Sequence, residues 1–313
     1  MRATPVSSGN PRRAERRRDD AGFGGFGGIG IGFGGLVLAL ALTLSLTPPG
    51  SSTAVAADGP ARFDLTEVAP GVLVHLGAVA LNTPDNRGDI ANLGAIVGER
   101  CVAIIDTGGS PAVGAALRRA VASRTAVPIC HVINTHGHPD HVLGNAAFTA
   151  DAPDFIGHAR LAPALAARGA TYQRAARDLL GPAAGLPALI PPTRAVTERL
   201  ELDLGGRKLA LQAWPPAHTD QDLTVTDLTS GVIFVGDLVF DQHLPVLDGN
   251  LKGWLAALAR LQALPVTLAI PGHGRPAAID SLIAPQRVHQ HRQRQQREHA
   301  QQRQQACSVR GVP

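Results

Sequence analysis

Cysteine is scarce in this chain of 313 residues: there are three, too few for a scaffold built on disulfides. Cys101 and Cys130 each stand at the start of an apolar, strand-like run, and Cys307 lies near the carboxyl terminus. Buried free thiols are the expected state of the first two, with a disulfide between them as the alternative. A basic face for nucleic acid is also missing. The overall charge is +4, but residues 1–20 carry +3 and residues 286–313 carry +5, which leaves −4 for everything between. The alkaline balance belongs to the two ends. No internal repeat is visible.

Charge is absent altogether from Ala21 to Ala57, with a strongly apolar centre over Leu36–Leu46. Five arginines (Arg12, Arg13, Arg16, Arg17, Arg18) precede this stretch, and Ala54-Val55-Ala56 closes it with the small residues that signal peptidase prefers. The layout predicts an export signal over residues 1–57 and a periplasmic mature protein. A retained membrane anchor is the rival reading, because the uncharged stretch is long enough to span a bilayer. The phenylalanine and lysine that usually follow a twin-arginine pair are missing, and no cysteine marks a lipoprotein cleavage site. Residues 58–285 are then enough for one well-buried α/β domain. Residues 286–313, dense in Gln and Arg, read as a low-complexity tail in which His289, His291 and His299 are solvated.

What the chain does have is a concentration of potential metal ligands. Thr135-His136-Gly137-His138-Pro139-Asp140-His141 sets three imidazoles and a carboxylate within six residues, directly after the apolar run that ends at Ile133-Asn134. A strand ending there delivers these side chains to its carboxyl end, where open α/β sheets place their sites. Imidazole nitrogen and carboxylate oxygen are ligands that divalent zinc accepts. Three more candidates follow apolar runs downstream: His218 in Ala-His-Thr-Asp, Asp237 in Val-Gly-Asp-Leu, and His273 in Pro-Gly-His-Gly.

His-x-His-x-Asp-His after an apolar strand, with these later ligands in this order, resembles the metallo-β-lactamase-fold hydrolases. The resemblance implies a four-layer αββα sandwich, two β-sheets flanked by helices. It implies that His136, His138 and His218 hold one metal, that Asp140, His141 and His273 hold a second, and that Asp237 bridges the two. Two zinc ions are the expected cofactors, although such mixed sites also accept iron or manganese. Their shared hydroxide would attack a polarised carbonyl, with Asp140 orienting the nucleophile as well as ligating. The family's Asp-Thr-Gly corner, here Asp106-Thr107-Gly108, implies a supporting hydrogen-bonding role for Asp106.

Asp237 is similar to the bridging carboxylate of the glyoxalase II type, where resistance lactamases usually carry Cys or Ser. Gln221 departs from the family's usual Gly. The run Thr83–Asn92 and the segment Asp241–Gly249 resemble the quinoprotein relay system zinc metallohydrolases, which implies a quinoprotein dehydrogenase and cytochrome as partners. By the same likeness His243 and Asn86 are candidate pocket residues. The reading is an exported dinuclear zinc hydrolase of an ester, thioester or lactone-like substrate. A β-lactamase, an iron-dependent sulfur dioxygenase and a non-catalytic metal-binding accessory protein stand as alternatives.

Pattern also predicts the elements around the site. A hairpin turns at Pro70-Gly71, and strands cover Leu93–Val97 and Val102–Ile105. A helix opens at Pro111 and, with the strand from Ile129, forms a right-handed βαβ unit. A helix is expected from Asp140 to Ala147, another from Arg160 to Leu180, and an amphipathic one over Leu251–Leu264. The strand Val232–Val235 is expected to end just before Asp237. His158, alone beside a helix start, reads as structural.

Overall fold

The computed structural model of the protein describes residues 63–181, 188–243, 246–287, 290 and 295–296. The export signal, Cys307, the tail histidines and most of the tail lie outside the described residues. Among those described, no helix is long and apolar enough to cross a membrane.

Seven strands form the first sheet in chain order: β1 (Thr66–Ala69), β2 (Val72–His75), β3 (Leu93–Val97), β4 (Val102–Ile105), β5 (Ile129–Ile133), β6 (Asp154–His158) and β7 (Arg194–Val196). The strands from β1 to β4 pair antiparallel and those from β4 to β7 parallel. The second sheet contains β8 (Arg199–Asp203), β9 (Lys208–Ala213), β10 (Leu223–Asp227), β11 (Val232–Phe240) and β12 (Leu268–His273), in the order β12-β11-β10-β9-β8. Only β11 and β12 run parallel within it.

Alternation along the strands separates the layers. On β4, Ala103 and Ile105 face the cluster between the sheets, where they meet Leu211, Val225 and Phe234 of the second sheet. Val102 and Ile104 face outward onto Val113, Leu117 and Val121 of helix α1 (Pro111–Ala122). On β11, Phe234 points inward, while Ile233 and Val235 pack beneath Trp254, Leu258 and Leu261 of a helix over Leu251–Gln262. Helix, sheet, sheet, helix is the expected sandwich.

Local chemistry explains the elements that aim the site. Helix α1 starts where Ser110 accepts a hydrogen bond from the Val113 backbone N–H and Pro111 occupies the first turn. It returns the chain to β5, parallel to β4, so the His-rich loop leaves the sheet at a carboxyl end.

Four expectations need correction. The helix predicted over Asp140–Ala147 is a single turn, α2 (Pro139–Val142), followed by a 3₁₀ segment over Asn145–Asp151. The Asn145 amide is drawn inward to bond Asn134 and Ile190, which breaks the helical register. β11 does not stop before Asp237 but runs through it to Phe240. Gly236, at φ +51, shifts the register there and lets the strand pass against Thr135, where a Cβ would sit 2.7 Å from that side chain. Cys101 and Cys130 form a disulfide (Cα–Cα 5.6 Å), in place of the free thiols expected, because parallel pairing of β4 with β5 sets them side by side. Gln286, counted with the tail, is buried; it accepts from the Phe240 N–H and donates to the Leu238 carbonyl.

The long helices follow the pattern. Helix α3 spans Leu161–Leu180, and α4 is the helix over Leu251–Gln262 introduced above.

Candidate metal centre

Five places in the fold bring the seven predicted ligands together. His136 and His138 leave β5, Asp140 and His141 form the turn of α2, His218 lies between β9 and β10, Asp237 sits within β11, and His273 ends β12. They fall into two groups: His136, His138, His218 and Asp237 in the first, and Asp140, His141 and His273 in the second. Within each group the candidate ligand atoms all lie within 4.8 Å of one another.

Asp237 faces both groups. Its Oδ2 is 3.6 Å from His136 Nε2 and 3.4 Å from His218 Nε2. Its Oδ1 is 3.3 Å from His141 Nε2 and 3.5 Å from His273 Nε2. Asp140 Oδ2 closes the second group at 3.2 Å from His273 Nε2. His138 presents Nδ1 to the first, 3.1 Å from His218 Nε2.

The opposite ring nitrogen of four of these histidines is anchored within the sandwich. His141 Nδ1 is 2.8 Å from Asp106 Oδ2, His218 Nδ1 is 2.8 Å from the Val246 carbonyl, and His273 Nδ1 is 2.8 Å from the Ile90 carbonyl. His136 Nδ1 lies 3.1 Å from the Thr135 hydroxyl. That hydroxyl and the Thr135 N–H donate to Asp106. Asp106 is therefore a support and belongs to neither group. It sits at φ +55, a conformation Asp tolerates better than most residues, at the corner after β4. Such anchors fix which nitrogen carries the proton and which is free to ligate.

Burial and charge divide the histidines. Burial holds His136 well below its ordinary value and His218 down at about 4, so both are neutral and ready to ligate. His141 and His273 are also buried, but Asp237 and the neighbouring carboxylates outweigh that: His141 is raised well above its ordinary value and His273 to about 10. Burial pushes Asp140 up, yet His141 and His273 hold it below the usual carboxylate range. Burial raises Asp222, in the loop after His218, to about 7 even though it accepts hydrogen bonds from Thr219.

This donor set fits a pair of cations. His136 Nε2, His141 Nε2 and Asp237 Oδ1 are buried and make no hydrogen bond. Buried polar atoms are normally satisfied, so three converging exceptions mark a place for a ligand of opposite character.

The other predicted site residues behave differently. His243 stands against the second group, its ring 4.9 Å from that of His273. Asn86 instead staples its own loop, accepting from Thr83 N and Gly88 N and donating to the Leu81 carbonyl. It lines a separate cavity beside α1. Gln221 is buried over the metal loop, its Nε2 3.1 Å from where a Gly137 Cβ would lie. His158 caps a local turn by accepting from Arg160 N and is in neither group. Pattern alone missed Asp248 and Arg168. Asp248 Oδ2 is 3.3 Å from His138 Nε2 and is ion-paired with Arg168 of α3. A cavity of about 390 Å³, walled by Ala167, Thr171, Tyr172, Val246 and Leu247, opens beside them.

The model of the family described as "Metallo-beta-lactamase superfamily" matches residues 86–273, a span that contains all seven candidate ligands. The chain belongs to the metallo-β-lactamase superfamily. Among proteins of that superfamily, its fold is similar to the metallo-beta-lactamase from Pontibacter korlensis (TM-score 0.59, 19% identity, covering 73% of this chain and 98% of that one). It is also similar to TMB-1 (TM-score 0.57, 16% identity, covering 73% and 97%). At these identities the likeness is one of fold. In sequence it is similar to the 2,4-dinitroanisole O-demethylase subunit alpha of Nocardioides sp. (strain JS1661), 26% identical over 240 residues, which cover 73% of this chain and 68% of that protein.

Proposed function

We propose that this member of the superfamily is a dinuclear metal-dependent hydrolase acting on an ester, thioester or lactone-like substrate. The observation that carries the reading is the placement of Asp237, one carboxylate oxygen toward each ligand group. His136, His138 and His218 would hold one cation and Asp140, His141 and His273 the other. When bound, the two cations supply an activated water and Lewis acidity toward the leaving group.

The chain's own residues do the rest. Asp106, Thr135 and the carbonyls of Ile90 and Val246 hold the imidazoles in their ligating orientation. Asp140, kept ionised beside His141 and His273, would accept a hydrogen bond from the attacking water and so orient it toward the substrate carbonyl. Phe240, stacked on His273, and Trp254, edge-on to His218, form an apolar backing that excludes bulk water behind the ligands.

Zinc is the metal of choice for this reading. The reading also takes the mature chain to be periplasmic, working beside a quinoprotein dehydrogenase and cytochrome; sequencing the amino terminus of the mature protein tests the cleavage near Ala57. A second reading, cleavage of an aryl methyl ether, is favoured by the likeness to a subunit of a 2,4-dinitroanisole O-demethylase. One experiment covers both: elemental analysis of the purified protein, with a panel of thioesters, esters, lactones, a chromogenic β-lactam and 2,4-dinitroanisole. Two metals per chain with turnover of an ester or thioester is the expected result. Turnover of 2,4-dinitroanisole alone would favour the ether reading. A protein that stays metal-free in excess zinc would overturn both.

A further inference from the structure

Four of the five ligand histidines are anchored by groups built into the sandwich: Asp106, Thr135 and the carbonyls of Ile90 and Val246. His138 is the exception. Its Nδ1 faces the first group, and its Nε2 meets a single carboxylate, Asp248, from the loop before α4. The same Asp248 oxygen that meets the ring, Oδ2, takes the guanidinium of Arg168, one turn from Tyr172 on α3, whose hydroxyl also engages Arg168. Both members of the pair are partly exposed along the wall of the 390 Å³ cavity, with side-chain exposures of 32% for Asp248 and 47% for Arg168.

We propose that Asp248 and Arg168 are positioning residues for His138, and through it for the cation of the first group; the inference rests on the two-cation reading above. A neutral imidazole carries one proton, and the nitrogen that lacks it is the one that ligates. A carboxylate at Nε2 selects the tautomer with the proton on that nitrogen, leaves Nδ1 free toward His218 and Asp237, and makes the ring a stronger donor. A half-exposed carboxylate on a loop would wander among rotamers without a second tether. Arg168 supplies that tether, anchored on the 20-residue helix α3. The loop and the helix that wall the cavity therefore also set one ligand of the metal centre. None of the second group's ligands depends on this pair, so the two cations should respond unequally to its loss.

The test is a zinc titration of the metal-free full chain against a chromophoric chelator, for wild type and for Asp248→Ala, Arg168→Ala and Thr171→Ala. Wild type should take up two tight equivalents. Asp248→Ala should weaken one of them by about 10–100-fold and leave the other unchanged. Arg168→Ala should weaken the same equivalent by a smaller factor, and Thr171→Ala, on the same cavity wall, neither. Cobalt(II) in place of zinc gives a second readout: the ligand-field bands of one site should shift and those of the other stay. Equal weakening of both equivalents, or none, overturns the proposal while the dinuclear reading stands. If Asp248→Ala fails to fold, Arg168→Ala decides on the same criteria. A wild type that binds no zinc sinks the dinuclear reading, and this inference with it.

Discussion

A methyl group on Gly272 would lie 1.8 Å from Oδ1 of Asp237. The neighbour of one candidate ligand, His273, must lack a side chain so that another, Asp237, can stand between the two groups. Gly272→Ala should therefore act as a lesion of Asp237. We expect metal content to fall below two per chain and turnover to drop by at least about 10–100-fold, as in Asp237→Asn. Elemental analysis of both variants checks this. A Gly272→Ala protein with two metals and full activity would mean that the carboxylate has another place to go.

Asp106 gathers three donors, the Thr135 N–H, the Thr135 hydroxyl and His141 Nδ1, in a buried corner. Asp106→Ala leaves all three without an acceptor. Each unsatisfied buried group costs about 1–3 kcal/mol, and loss of a ligand's outer partner weakens metal binding by about 10–100-fold. Urea unfolding of the metal-free protein and zinc competition of the loaded one should show both losses. A change in activity with neither would contradict the supporting role.

Removal of metal should make stability depend on pH in a defined direction. In the metal-free fold, His273 holds its proton up to about 10, against 6.5 ordinarily, because Asp237 and Asp140 outweigh its burial. The folded state then binds a proton that the unfolded state has released. This stabilisation is complete below about pH 6.5 and is lost as pH rises through about 10. Asp237, held well below its ordinary value, contributes in the opposite sense, above about pH 4. Thermal unfolding with a chelator should show Tm falling from pH 7 to 10, and zinc should flatten that fall by displacing the proton. Zinc added to unbuffered protein at pH 8 should acidify the solution.

The Cys101–Cys130 disulfide joins two residues 29 positions apart in sequence and encloses α1. On loop-closure entropy its removal costs about 3–4 kcal/mol, or roughly 5–15 °C in Tm for a domain of this size. Cys101→Ser/Cys130→Ser should show that loss with metal content unchanged, since neither residue touches a ligand group. Unaltered Tm would mean that the bond is not formed in solution.

Much of the site is legible because each candidate ligand follows an apolar run, and such runs become the strands that carry these residues at or near their ends. Seven positions separated by up to 137 residues in sequence (His136 to His273) can be grouped from the sequence alone. Asp248 carries no such mark. It is a lone carboxylate in a Leu-Asp-Gly loop, 110 residues from the ring it meets, and only packing of that loop against α3 gives it a partner. The end of β11 is misjudged because Gly236 reads locally as a stop, whereas in the sheet β12 keeps the strand paired beyond it. The disulfide depends on how closely two residues approach across β4 and β5, a distance that residue pattern does not contain. Gln286 is hidden by a composition that matches the tail beyond it.

Asn92, just ahead of β3, donates through its side chain to the carbonyls of Pro271 and Gly274, and its backbone N–H donates to Gly272. These bonds clasp His273 from both sides, so the residue that leads into the first sheet grips a candidate ligand presented by the second. The two halves of the sandwich cannot slip past each other without dragging an imidazole away from its neighbours. Metal loading and the seating of one half on the other should therefore behave as a single cooperative event, with the cations acting as a latch between them.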